Sequence, residues 1–194
     1  MEKKFVWVGL GVLGLVLLMG VVGFFVIRAN QSFHGSVIDP PSQAADFTLT
    51  DQSGREVRLS DYRGRYVLMF FGYTHCPDEC PATMAILKQV RIRLGDQADK
   101  VQVIFVSTDP GRDTQQAVGD FVNRFDPSFI GLTGTQAELQ PVWAEYGVTV
   151  LDGGETHSTF VYLIDPQGNM RLTYPNVATP DDIVGDLQIL FKNQ

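Results

Sequence analysis

Cysteine is nearly absent from this 194-residue chain, which holds two, and histidine is scarce, with three. Two cysteines exclude a disulfide framework, so the domain is held by its core, and a 44% hydrophobic content suffices for one. Any imidazole ligand must come from His34, His75 or His157. A basic surplus is lacking too: 15 Lys+Arg stand against 22 Asp+Glu. Lys3, Lys4, Arg28 and Glu2 precede residue 29, which leaves 12 basic and 21 acidic residues, a net of −9, for the rest of the chain. Such a surface repels nucleic acid and anionic lipid and suits cations or basic partners. Internal repeats and low-complexity tracts are absent.

Charge is missing altogether from Phe5 to Ile27. As a helix those residues would be about 35 Å long, slightly more than the hydrocarbon of a bilayer. A cleaved signal peptide is the competing reading, but its apolar region is shorter and ends in a small-x-small site, for which Ile27-Arg28-Ala29 is a poor match. The expectation is therefore a transmembrane anchor over residues 1–28. Lys3 and Lys4 before the span put the N-terminus in the cytoplasm and the remainder outside, in an oxidising compartment. Residues 29–45, small, polar and proline-bearing, read as a flexible tether, with His34 a solvated histidine within it. The Asn30-Gln31-Ser32 sequon matters only in a glycosylating pathway.

From residue 46 to 194 strand and helix patterns alternate. DFTLT and EVRLS flank the turn DQSG as a hairpin. YVLMFFG and VQVIFVS are continuous apolar runs of the kind covered on both faces of a sheet. Met84, Leu87, Val90 and Leu94 recur at helical steps, as do Val118, Phe121, Val122 and Phe125 after Thr114. Thr135 and Glu138 form a capping box. HSTFVYLID and MRLTY make a second hairpin, and Thr179-Pro180-Asp181-Asp182 starts a final helix. This order predicts an α/β domain with a central mixed sheet flanked by helices, most simply closed as a thioredoxin-like fold.

Both cysteines lie in GYTHCPDECPATM, after a buried strand and before a helix, on the sheet edge where ligands usually bind. A helix N-terminus stabilises thiolate, so Cys76 and Cys80 are both candidates for reactivity. Their C-x-x-x-C spacing departs from the C-x-x-C of redox motifs and suits two sulfurs gripping one ion from a helical turn. Asp78 and Glu79 oppose thiolate formation and favour a cation. The resemblance of this strand and helix order to thioredoxin-like proteins implies a cis-proline facing the cysteine pair. Pro141 is too early for it and Pro166 too late, and His157 stands near that position instead. Cys76, Cys80 and His157 together offer two soft thiolates and one imidazole, a set for copper and for Cu(I) above all. Zinc accepts the same ligand types, but a structural zinc site has four. Asp109 and Asp113 follow the neighbouring strand on the same edge. Either would supply an oxygen ligand or a hydrogen bond to an imidazole, or cap the next helix, which is the commoner role. Tyr73 borders the pair, and Trp143 reads as core.

Three segments in order, FFGYTHCPDECPATM, VSTDPGRDT and HSTFVYLIDPQG, resemble the Sco/SenC family of membrane-anchored copper proteins. The resemblance implies a thioredoxin-like fold and copper held by Cys76, Cys80 and His157. It also implies delivery of that copper to the Cu(A)-bearing subunit of cytochrome c oxidase. The family's aspartate near the metal maps to Asp109 or Asp113. A periplasmic copper donor and a thioredoxin-like reductant are the further partners expected, since a Cys76–Cys80 disulfide has to be reduced before it binds copper. With no organelle-targeting stretch before the apolar run, the expected location is a bacterial inner membrane with the domain in the periplasm. The alternative is a thiol-disulfide oxidoreductase keeping the client's cysteines reduced, which leaves open whether the chain is an enzyme. A thiol peroxidase ranks below both, because Tyr73 stands where peroxiredoxins carry threonine.

Overall fold

The computed structural model describes residues 19–20, 32–151, 156–157, 159–175 and 178–193. The chain divides into two compact units, residues 1–33 and 34–194. In the first, Met19 and Gly20 are helical, and the rest of the expected span lies outside the described residues. Among the described residues, no helix is long and apolar enough to cross a membrane.

The second unit holds ten strands and four α-helices among its described residues. They are β1 (Ser36–Gln43), β2 (Thr48–Asp51), β3 (Glu56–Arg58), β4 (Tyr66–Gly72), α1 (Glu79–Leu94), β5 (Val101–Ser107) and α2 (Gln115–Asn123). There follow β6 (Ile130–Thr133), α3 (Gln136–Glu145), β7 (Val150–Leu151), β8 (Thr156–His157), β9 (Phe160–Ile164), β10 (Asn169–Pro175) and α4 (Pro180–Lys192). Eight strands form one mixed sheet in the order β1-β10-β9-β4-β5-β6-β2-β3, while β7 and β8 form a separate ribbon. Strands β4, β5 and β6 run parallel through helical crossovers, and the remaining pairs of the sheet are antiparallel. This is the mixed α/β, thioredoxin-like arrangement that the alternating pattern predicts.

The two long apolar runs occupy the centre because neither has a polar face to show to water. Every residue of β4 and β5 is buried. Side chains alternate across the sheet, so Val67, Met69 and Phe71 share one core with Ile104, Val106, Leu132, Trp143, Tyr146 and Tyr162. On the opposite face Phe70 and Phe105 meet at 6.3 Å between ring centroids, and Phe105 meets Phe121 of α2 at 5.1 Å. Two helices, α3 and α4, start as their sequences predict, while α2 starts at Thr114 and not at either aspartate before it. Thr114, Thr135 and Thr179 are N-caps, and the last two close capping boxes with Glu138 and Asp182.

The tether expectation needs correction. Within residues 29–45, Ser36–Gln43 is a sheet strand, paired antiparallel with β10 through Ser36↔Thr173, Val37↔Leu172, Ser42↔Met170 and Gln43↔Asn169. The register shifts between Val37 and Ser42, and that irregularity holds Pro40, preceded by a cis peptide bond, and Pro41. An edge strand tolerates prolines because one row of its backbone groups has no partner to lose. Nor is His34 simply solvated. Its N–H and the N–H of Gly35 each lie 2.9 Å from the carboxylate of Asp186, its Nδ1 is 3.0 Å from the same group, and Tyr174 Oη donates to it at 3.0 Å. Gly35 fits there because a Cβ would lie 2.7 Å from the Tyr174 ring. The whole cluster forms around a fully buried aspartate on α4.

Candidate metal centre

Strands β4 and β5 end side by side, with Gly72 opposite Ser107. The Thr108 N–H donates to the Gly72 carbonyl at 2.7 Å, which binds the loop after β5 to the cysteine loop after β4. Cys76 lies in that loop and Cys80 is the second residue of α1, so the sulfurs do not share a helical turn as their spacing suggests. The loop folds back instead, and the Cys80 N–H donates to Cys76 Sγ at 3.3 Å. Pro81, the third residue of α1, has no N–H at a position where none is needed. Both cysteines are free thiols, Cys76 half-buried and Cys80 fully buried. Gly72 makes room for the inner one: a Cβ there would stand 3.0 Å from Cys80 Sγ and 2.8 Å from the Phe70 ring.

The two thiols are electrostatically unlike. Burial opposes the Cys76 thiolate, but hydrogen bonds from the backbone of Cys80 and Asp78 and from the side chains of Cys80 and Tyr73 outweigh it, leaving its pKa lowered. Tyr73 thus borders the site as expected. Burial pushes the Cys80 thiol well up, the Tyr73 backbone offsets only part of this, and neighbouring Cys76 and Glu79 push further the same way. Of the two candidates for reactivity, Cys76 is thus shifted toward thiolate and Cys80 away from it.

Asp109 and Asp113 do not cap the following helix, whose N-cap is Thr114. Asp113 faces the cysteine loop. It accepts from the Thr74 N–H at 3.2 Å, the Thr74 hydroxyl at 2.6 Å and the Ser107 hydroxyl at 2.7 Å. Burial raises its pKa, although these hydrogen bonds pull it down. Asp109 pairs with Arg112, whose guanidinium lies 6.0 Å from the centre of the Tyr73 ring. His75, Asp109 and Asp113 bring potential ligand atoms within 4.8 Å of one another. Both carboxylates are already engaged, however, Asp113 by Thr74 and Ser107 and Asp109 by Arg112. Trp143 is core, and its Nε1 donates to the Ser107 carbonyl at 3.0 Å.

The backbone of His157 pairs with Val150 in the β7–β8 ribbon, so it lies before the long strand rather than opening it; β9 starts at Phe160. Its side chain is outside the described residues. Thr74, Ser107, Gly72 and Arg112 escaped the sequence reading; for Thr74 the reason is distance, since its partner Asp113 is 39 positions away. Half-buried Cys76 and buried Cys80 give two sulfur donors beyond the end of β4, a set matched to a soft cation.

The SCO1/SenC family model matches residues 36–192. The human protein SCO1 homolog, mitochondrial, is 34% identical over 145 residues, which cover 68% of this chain and 47% of that relative. The chain thus spans about half the length of that relative. Among solved structures, Bradyrhizobium japonicum ScoI with copper bound is 36% identical with a TM-score of 0.70, covering 76% of this chain and 98% of that one. BsSco, a member of the Sco family of cytochrome c oxidase assembly proteins in which a disulfide switch was identified, is 26% identical with a TM-score of 0.67, covering 79% and 96%.

Proposed function

From the premise that this chain belongs to the SCO1/SenC family, we propose that it is a copper metallochaperone that delivers copper to the Cu(A) site of cytochrome c oxidase. Cys76, Cys80 and His157 hold the cargo. The observation that carries this reading is the free sulfur pair beyond the end of β4, with a backbone N–H directed at Cys76, in a chain similar to a copper-bound ScoI. Thiolates and an imidazole suit Cu(I), and exchange of one ligand at a time suits transfer. The domain works in the periplasm of a bacterium, anchored by residues 5–27 in the inner membrane, and takes copper from a periplasmic donor. A thioredoxin-like reductant reopens the Cys76–Cys80 disulfide when it forms. Anaerobic titration of the reduced full-length chain with Cu(I) tests the site: one copper per chain is expected, with loss in Cys76→Ser, Cys80→Ser and His157→Ala. Undiminished loading of the His157 variant rejects the third ligand.

The split between a half-buried low-pKa thiol and a buried high-pKa thiol favours a second reading, thiol-disulfide exchange on the client's cysteines. That activity makes no demand on His157. Reduction of a client disulfide at an unchanged rate by the His157→Ala protein, together with restored oxidase assembly, selects it over copper transfer.

A further inference from the structure

His75 immediately precedes Cys76 and takes no part in the ligand set above. Its side chain is 54% exposed, whereas Cys76 is half-buried and Cys80 is completely enclosed. The three residues thus grade in exposure from solvent to core, with the imidazole the most exposed. The imidazole is also oriented. Its Nδ1 lies 3.0 Å from Thr74 Oγ1, which in turn lies 2.6 Å from Asp113 Oδ1. The single hydroxyl proton of Thr74 goes to the carboxylate, which also collects the Thr74 N–H and the Ser107 hydroxyl. Thr74 Oγ1 can then only accept, so Nδ1 carries the ring proton and Nε2 carries the lone pair. A buried carboxylate that fixes the tautomer of an imidazole, here through one hydroxyl, is the usual support of a metal-binding histidine.

We propose that His75 Nε2 is a transient copper donor at the mouth of the site, which receives the ion from solvent or a partner and passes it to Cys76. The inference rests on the copper reading above and adds a ligand that acts during transfer only. In the inward step a Cu–Sγ bond to Cys76 forms as the Cu–Nε2 bond to His75 breaks. The copper keeps its oxidation state, and each thiol proton, first that of Cys76 and then that of Cys80, leaves to solvent as its sulfur binds. Release runs through the same steps in reverse.

The test uses the reduced full-length chain loaded with one Cu(I) and mixed with excess bathocuproine disulfonate, whose absorbance reports copper release. His75→Ala is expected to load one copper like the parent and to release it about tenfold more slowly, a loss of the size seen when a supporting partner of a metal site is removed. Millimolar free imidazole restores the rate, a rescue that a purely structural role for this exposed side chain does not allow. Thr74→Val, which frees the ring tautomer, slows release by a smaller factor. An unchanged rate in His75→Ala, or a slow rate that imidazole leaves slow, overturns the inference while the copper reading stands. Failure of the parent chain to load copper is read before any rate is measured, and it removes both.

Discussion

Truncating Asp113 removes at one stroke the acceptor of the Thr74 N–H, the Thr74 hydroxyl and the Ser107 hydroxyl. The site is only 1% exposed, so water replaces that acceptor poorly. Asp113→Ala is expected to cost on the order of 3 kcal/mol in urea unfolding, and Asp113→Asn, which keeps one oxygen acceptor, clearly less. The order of the two variants is the informative part, since a cavity effect alone would not favour the amide so strongly. Nothing in VSTDPGRDT points to this role, because the bonded partner Thr74 is 39 positions away. The two cysteines, by contrast, were legible. An apolar run ending at Gly72 and a helical pattern beginning near Pro81 place them on a sheet edge whatever the remaining contacts are. What the spacing does not convey is their inequality, which arises from the burial of Cys80 and from the hydrogen bonds that reach Cys76.

Among the elements, β1 was the least readable and the helices the most. SVIDPPSQ is mostly exposed and holds two prolines, so it lacks the alternation that marks a half-buried strand. The threonine N-caps and their acidic partners three residues on are local in sequence, and they set the helix starts without tertiary help. The Asp186 cluster fixes the beginning of β1 against α4 and β10. A hydrogen bond that the His34 ring donates to Asp186 raises its pKa above the usual 6.5, with desolvation opposing and the charges of Asp186 and Asp182 adding to it. A raised folded-state pKa means that the protonated ring stabilises the fold below its unfolded value and that this contribution is lost as pH rises through the folded one. The stability gap between the parent and His34→Gln, measured by urea unfolding across pH 5 to 9, is therefore expected to be larger at the acidic end. A gap independent of pH assigns the cluster's strength to the backbone N–H bonds of His34 and Gly35.

At the scale of the molecule, the order of strands was only partly legible. The parallel β4–β5 pair and both hairpins follow from apolar runs and turn residues, whereas β6 is a four-residue strand with no pattern of its own. Its place comes from pairing with β5 and β2. Copper bound to the native state alone adds stability by mass action, about 2.7 kcal/mol at a free concentration one hundred times the Kd. Thermal unfolding of the reduced chain is expected to shift upward with Cu(I), and the shift to disappear in Cys80→Ser, whose folded baseline without metal is the control. For the second proposed reading, thiol-disulfide exchange, the burial of Cys80 implies an order of events when another protein presents a disulfide. With Cys80 fully buried and Cys76 half-buried, the covalent intermediate with the visitor is expected on Cys76. Cys80 is left as the resolving thiol, the one that expels the visitor and ends the encounter.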